Sequence, residues 1–350
     1  MNTATSSLKE KWALLKSERP HLRIRNAAQE LEVSEVELLA TQIPDSTIRL
    51  KTDMKEILSE VQTLGKVMGL TRNNECVHER KGVYLNPDFS SPHAGLFVNE
   101  DIDLRIFIGQ WSTAFAVVEK TERMERKSLQ FFGKDGEAIH KIYLTPASDE
   151  KAFDELVNKF KSDDQSPMQS VEKPVESLEL QLEERMDEEI DVKGFQDDWE
   201  NLQDTHNFYG LLKKYSITRT QALRLAPSEY YAKPIEKEAI VSMLETAASK
   251  QIPIMVFVGN KGNIQIHTGE VKKTMWHENW YNILDPDFNM HLDMTKVAQT
   301  WIVRKPTEDG EVTSIEVFNE MGEIIVQFFG KRKPGIPELT SWKELIASLS

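Results

Sequence analysis

The chain has one cysteine, Cys76, among its 350 residues. No intrachain disulfide and no Cys-based metal cluster can form. Neither G-x-G-x-x-G nor G-x-x-x-x-G-K-[ST] occurs, so the sequence shows no nucleotide-binding loop of its own. No apolar run approaches the roughly 20 residues needed to cross a bilayer. The opening residues, MNTATSSLKEKW, lack the apolar region and cleavage signal of a secretory leader. Basic residues are outnumbered: 43 Lys and Arg against 57 Asp and Glu give a net charge of −14. That balance argues against nucleic acid and anionic membranes as main partners, because both reward Lys and Arg. A local basic pocket is compatible with it. The expectation is a soluble, cytoplasmic protein that does not insert into membranes.

Motifs of common hydrolases are missing too. The eight histidines are His21, His78, His93, His140, His206, His267, His277 and His291, and no two have the H-x-x-x-H spacing of a zinc helix. The stretch HENWY at His277 lacks the second histidine of a zincin, and no G-x-S-x-G elbow occurs. A triad assembled from scattered residues stays open.

What the chain does contain is the same segment twice. Phe115–Phe132 aligns without gaps on Trp301–Phe318, an offset of 186 (301 − 115). The offset pairs Val117 with Val303, Thr121 with Thr307, Glu122 with Glu308, Ser128 with Ser314, Gly136 with Gly322 and Ile139 with Ile325. An offset of 187 pairs Asn73 with Asn260 and Gly82 with Gly269. Under 186, Arg105 faces His291 and Tyr143 faces Phe329. Matching places filled by different polar residues suggest one scaffold used twice and one specialised site.

Each half reads as helices followed by strands. Leu8 to about Gln42 suggests two short helices, with a capping box from Ser34 to Glu37, and Lys55–Leu64 another. The runs GLFVN, LRIFI, FAVVEK and SLQFF suggest strands, GKDG a hairpin turn, and Lys151–Lys161 a closing helix. Pro167, Pro174 and the acidic run Glu183–Asp191 read as a solvated linker. The second half repeats the order, with helices over Trp199–Tyr215, Arg219–Leu225 and Lys237–Ala248. The expected organisation is an N-terminal half (1–165), an acidic linker (166–195) and a C-terminal half (196–350). Helices first and strands after mean an α+β fold with antiparallel sheets.

Among the histidines, His206 in QDTHNFYGLLKKY draws most interest. If 199–215 is one helix, it lies about 20° from Trp199 around the axis, with Gly210 one turn later on the same face. A glycine inside a helix costs about 1 kcal/mol relative to alanine, and one reason to tolerate it is room for a flat ligand. An ordinary helix-surface histidine is the plainer reading. The stretches RNAAQELEVSEVELLATQ and LLKKYSITRTQALRL have the rhythm of a helix-turn-helix. A DNA-associated regulator is therefore kept as a remote alternative against the acidic charge.

Several motifs in one order, LRIFIGQW, QFFGKDG, HNFYGLLKKY, ITRTQAL, IMVFVGNKGNIQIHTG, VRKPTEDGEVTSIEVF and VQFFGKR, make the chain resemble the bacterial hemin-degrading factors of the HemS/ChuS type over nearly its whole length. The resemblance implies two similar halves, each with helices and a large antiparallel sheet, the sheets stacked centrally. It implies one heme b in a cleft on the C-terminal half that touches the N-terminal half. The family's axial histidine falls on His206, its distal arginine on Arg105 and the nearby aromatic on Phe107. Polar positions around the heme fall on Arg219, Lys305 and Gln327. Where the family often has a tyrosine, this chain has Phe329, so no hydroxyl contact carries over. Met255 and Phe257 are candidates for apolar contact or plain sheet core. His78 and His93 are candidates for a second heme site or structural roles.

These types suit that chemistry. Neutral imidazole ligates heme iron and leaves the opposite face open, and a carboxylate or carbonyl is expected on its other nitrogen. An arginine over the open face can donate to developing negative charge, and Arg219 and Lys305 suit carboxylate side chains. The resemblance implies heme-degrading activity, with Arg105 and His206 as the catalytic pair and electrons from an external reductase or small reductant. A heme carrier between an importer and another enzyme is the alternative. A homodimer is kept among the partners.

Overall fold

The computed structural model describes residues 3–120, 125–173, 184–333 and 335–349, with side chains from Ser7 onward. Thr121 and Glu122 of the repeat and Pro174 and Glu183 of the linker lie outside those residues. The fold is α+β, with two antiparallel sheets of nine strands each. By its contacts the chain divides into two units. The first comprises residues 1–71, 79–175 and 260–265; the second comprises 72–78, 176–259 and 266–350. Each unit thus includes a short segment from the other half of the sequence.

The first unit opens with helices α1 (Thr3–Glu18), α2 (Ile24–Glu30) and α3 (Glu35–Ala40). Three helices stand where the sequence suggested two, because Leu31–Ser34 breaks the second stretch before Ser34 caps α3. The capping box forms as expected: Ser34 Oγ accepts from the Glu37 amide at 3.3 Å, and the Glu37 carboxylate accepts from the Ser34 amide at 2.9 Å. Val36, Leu38, Leu39 and Ala40 are buried, so α3 turns its apolar residues into the core and offers no basic face to a groove. Helix α4 (Met54–Glu60) follows strand β1 (Thr47–Arg49).

The strands of this unit include β2 (Gly65–Arg72), β5 (Gly95–Val98), β6 (Asp103–Ile106), β7 (Trp111–Lys120), β8 (Glu125–Gly133) and β9 (Ala138–Ser148). The hairpin turn between β8 and β9 falls on the expected GKDG, where Gly136 at φ +82° takes a left-handed backbone that favours glycine. Helix α5 (Glu150–Phe160) closes the unit. Its apolar face of Phe153, Leu156, Val157 and Phe160 packs against Ile57, Val61, Leu129 and Ile142.

The second unit repeats the plan with α6 (Val192–Glu200), α7 (Asn207–Tyr215), α8 (Arg219–Arg224), α9 (Glu238–Ser249) and α10 (Thr340–Ala347). Its strands include β10 (Ala232–Ile235), β11 (Ile254–Asn260), β16 (Gln299–Thr307), β17 (Gly310–Phe318) and β18 (Ile324–Gly330), paired in the order β10-β16-β17-β18-β11. Strand side chains alternate between faces. One face buries Val256, Ile302, Ile315, Val317 and Phe328 with α9 and α10. On the other, Val303 and Phe318 pack with Phe195, Trp199, Phe208 and Leu212 of α6 and α7.

The two exchanged segments are built alike. Asn73 Oδ1 accepts from the amides of Glu75 and Cys76, while its Nδ2 donates to Ile325 O at 2.8 Å. Asn260 Oδ1 accepts from the amides of Gly262 and Asn263, while its Nδ2 donates to Ile139 O at 2.9 Å. The two acceptors are the isoleucines that the repeat offset pairs. Gly262 is packed so closely that an added Cβ would come within 2.6 Å of the Ile139 side chain. Its carbonyl accepts from the Trp111 indole at 2.8 Å and the Phe107 amide at 3.0 Å.

Candidate functional site

His206 is not inside a helix. The expected single helix over 199–215 is two, α6 and α7, with a turn between them, and His206 is the residue before α7. The break has a local cause. The Asp204 carboxylate accepts from the His206 amide at 2.8 Å, fixing the turn that starts the new helix. Trp199 and His206 therefore do not share a face. Trp199 is fully buried, whereas 89 % of the His206 side chain is exposed.

The same Asp204 carboxylate contacts His206 Nδ1 at 2.7 Å. The bonds from His206, the backbone amide first, hold the Asp204 carboxyl below its usual range. With Nδ1 engaged, Nε2 is the ring nitrogen suited to a metal, and the carboxylate orients the ring. Gly210, one turn into α7, faces open space: a Cβ there would meet no atom within 4 Å. Internal packing gives no reason for that glycine.

Two residues past His206, the Phe208 ring is buried in the core. Lys305 Nζ lies 4.5 Å from its centroid and the Arg219 guanidinium 5.3 Å. Both cations meet on Glu316, which the sequence gave no reason to single out. Arg219, the first residue of α8 behind its Thr218 cap, donates from Nε to Oε2 at 2.8 Å and from Nη2 to Oε1 at 2.9 Å. Lys305 Nζ donates to Oε1 at 2.7 Å. The Glu316 side chain is 0 % exposed. Burial pushes its acidity the wrong way, but Arg219 and Lys305 outweigh burial and hold the carboxyl far below its usual range. Burial lowers the Lys305 ammonium to about 8 despite Glu316, and Arg219 adds to the lowering.

Cross-strand pairing sets the neighbours. Glu316 lies opposite Gln327, and Gln327 opposite Phe257. In the next row Ser314 lies opposite Phe329, and Phe329 opposite Met255. Met255, Phe257, Gln327 and Phe329 are all only half-buried. The Phe257 and Phe329 rings touch, with centroids 4.9 Å apart. The second unit thus brings together, on one sheet face and the helix pair beside it, two cations with one acid, an amide and a half-open aromatic surface. The exposed imidazole sits two residues from the ring under both cations. This donor set fits an iron porphyrin with acid side chains: a nitrogen ligand, an apolar surface and a net positive charge.

The other candidates lie elsewhere. Arg105 and Phe107 belong to the first unit. Arg105, on β6 opposite Leu96, pairs with Asp103. Burial raises the Asp103 carboxyl, with Arg105 opposing. Phe107 is 39 % exposed. His78 is fully buried against Phe288, at 4.9 Å between ring centroids, and would need the core opened to reach a ligand. His93 is exposed on a loop. Among the described residues no group of three His, Cys, Asp or Glu side chains could hold a bare metal ion.

Comparisons with known proteins identify the family. The haemin-degrading HemS.ChuX domain matches residues 32–160 and 216–349, once in each sequence half. The chain is 36 % identical to the hemin transport protein HemS of Yersinia enterocolitica over 347 residues, 99 % of this chain and 98 % of that one. Holo-PhuS, a heme-binding protein from Pseudomonas aeruginosa, superposes with a TM-score of 0.95 at 44 % identity, covering 99 % of each chain. ChuS, described as an E. coli heme oxygenase, superposes at 0.87 with 35 % identity, covering 98 % of this chain and 99 % of that one. Matched in both halves and along its full length, the chain belongs to the haemin-degrading HemS/ChuX family.

Proposed function

We propose that this protein binds heme b in its second unit with His206 as the iron ligand, and opens the ring to release iron when an external donor supplies electrons. The observation that carries the reading is the exposed His206 imidazole, its Nδ1 on Asp204, beside a helix whose Phe208 lies under Arg219 and Lys305. When bound, the heme iron supplies the oxygen chemistry that porphyrin opening requires. The chain's part is to bind and orient. Asp204 keeps Nε2 outward as the ligating nitrogen. Arg219 and Lys305 attract the acid side chains, Gln327 adds an amide, and Phe257, Phe329 and Met255 offer apolar surface. For Arg105 and Phe107 the proposal rests on the family resemblance: Arg105 tunes the reactivity of the bound heme and Phe107 contributes apolar contact.

A second reading has its own support, since relatives at 36 % identity are named hemin transport proteins. In that reading the protein is a carrier that receives imported heme and passes it on, and the same residues serve. We place either role in the cytoplasm. No helix among the described residues is long and apolar enough to cross a membrane.

One experiment separates the readings. The purified protein is titrated with hemin by absorption and then given ascorbate or a reductase. Binding followed by loss of the Soret band with iron release supports the enzyme. A persistent band, with transfer to an acceptor protein faster than any decay, supports the carrier. No spectral change on adding hemin removes both.

A further inference from the structure

Two cations and one acid make the buried cluster unevenly balanced. Glu316 Oε1 accepts from Arg219, Lys305 and, at 3.3 Å, from Ser314 Oγ; Oε2 accepts from Arg219. The carboxylate is wholly buried, and the Arg219 side chain keeps only 13 % of its surface exposed. The cluster carries one net positive charge. An acidic ligand arriving here meets cations that already have a carboxylate of the protein's own. Its acid group must share them, and every charge-assisted bond it gains is set against one already made.

We propose that Glu316 sets how strongly this site takes an acidic ligand: it is an internal carboxylate that holds Arg219 and Lys305 in place and competes for them with the acid side chains of an incoming porphyrin. The inference rests on the porphyrin reading above and adds a specificity residue to it. One net charge draws in an acid group, while Glu316 keeps the cations from clamping it. Such a site suits a ligand that must leave again, whether handed on or consumed. Without Glu316 its two cations lose their shared carboxylate, and the acid group of a ligand takes its place.

The test compares hemin with hemin dimethyl ester, which lacks the acid charges, in the same detergent solution. The readout is the ratio of the two affinities from Soret titrations. In the wild type the acid form binds better. In Glu316→Gln that ratio rises about tenfold, the worth of one charge-assisted hydrogen bond. In Arg219→Gln/Glu316→Gln, where one net positive charge returns, the ratio falls back to the wild-type value. Circular dichroism reports whether each variant folds. If Glu316→Gln alone does not fold, Arg219→Gln is compared with the double variant, and loss of Glu316 in that background must raise the ratio. A ratio that is unchanged or lowered on removing Glu316 overturns the proposal. A wild type whose spectrum responds to neither porphyrin removes the porphyrin reading itself, which is a different result.

Discussion

In both units a helix starts behind a hydroxyl cap, Ser34 for α3 and Thr218 for α8, and its first residue reaches a charged residue on a strand. In the first unit that residue is Glu35, paired with Lys141; in the second it is Arg219, paired with Glu316. The repeat offset sets Glu119 against Lys305, Gln130 against Glu316 and Lys141 against Gln327. Glu119 and Lys305 carry opposite signs, and each of the other two pairs sets a charge against an amide. Glu35 and Glu119 act on Lys141, holding its ammonium above the usual range although burial alone would lower it. Arg219 and Lys305 act on Glu316. The same backbone plan therefore pairs a buried base with Glu35 on one side, with Glu119 opposite Arg126 nearby, and a buried acid with two bases on the other. The duplicated frames differ in charge at four matched places: Glu35 against Arg219 and Glu119 against Lys305 reverse sign, while Gln130 against Glu316 and Lys141 against Gln327 set a charge against an amide.

Breaking either buried pair tests the structural side of the comparison. Arg219→Met leaves Glu316 with Lys305 and Ser314, and Lys141→Met removes the ion pair of Glu35. Each is expected to lower stability by about 3–5 kcal/mol, measured by urea unfolding. Only Arg219→Met should also weaken hemin binding; equal loss of binding in both would erase the distinction between the units. His206→Ala is expected to lower hemin affinity by on the order of 100-fold and shift the Soret band, and Asp204→Asn by about tenfold through the ring it orients. An unchanged spectrum in the histidine variant would count directly against the ligand assignment.

Lys305 predicts a pH effect, to which Lys261 of the first unit, also lowered to about 8 by burial, adds. The Lys305 ammonium titrates at about 8 in the fold against 10.5 as the ordinary value. Between these the unfolded chain binds the extra proton, so stability rises as pH climbs from about 8 to 10.5. Lys305→Met should reduce that rise, and unfolding midpoints across the window would show it. The smallest effect is expected at Gly210. Alanine there meets open space and should stabilise α7 by roughly 0.5–1 kcal/mol, while a bulkier valine tests whether the room serves a flat ligand by lowering hemin affinity.

Much of the frame was legible from sequence because it rests on local signals. The β-branched and aromatic runs are strands, GKDG is a turn, the Ser34–Glu37 box caps a helix, and the apolar face of α5 is buried as its spacing implies. The break before His206 was missed because the Trp199 to Tyr215 pattern fits helical spacing; the signal against it was Asp204, whose short side chain competes for backbone amides. Glu316 was missed for another reason. An acid in SIEVF reads as the solvent side of a strand, and its partner Arg219 stands 97 residues away. The available hint was that the repeat offset puts Gln130, also polar and also buried, at the matching position. His78 shows the reverse: a histidine among strand residues invites a ligand role, and only packing against Phe288 reveals it as core.

The reciprocal asparagine turns bear on how such a chain can be taken apart. Residues 260–265 complete the first unit and 72–78 complete the second, so a cut between the halves strips each product of a piece of its interior. Isolated fragments should fail to fold alone yet rebuild the protein when produced together, each rescuing its counterpart.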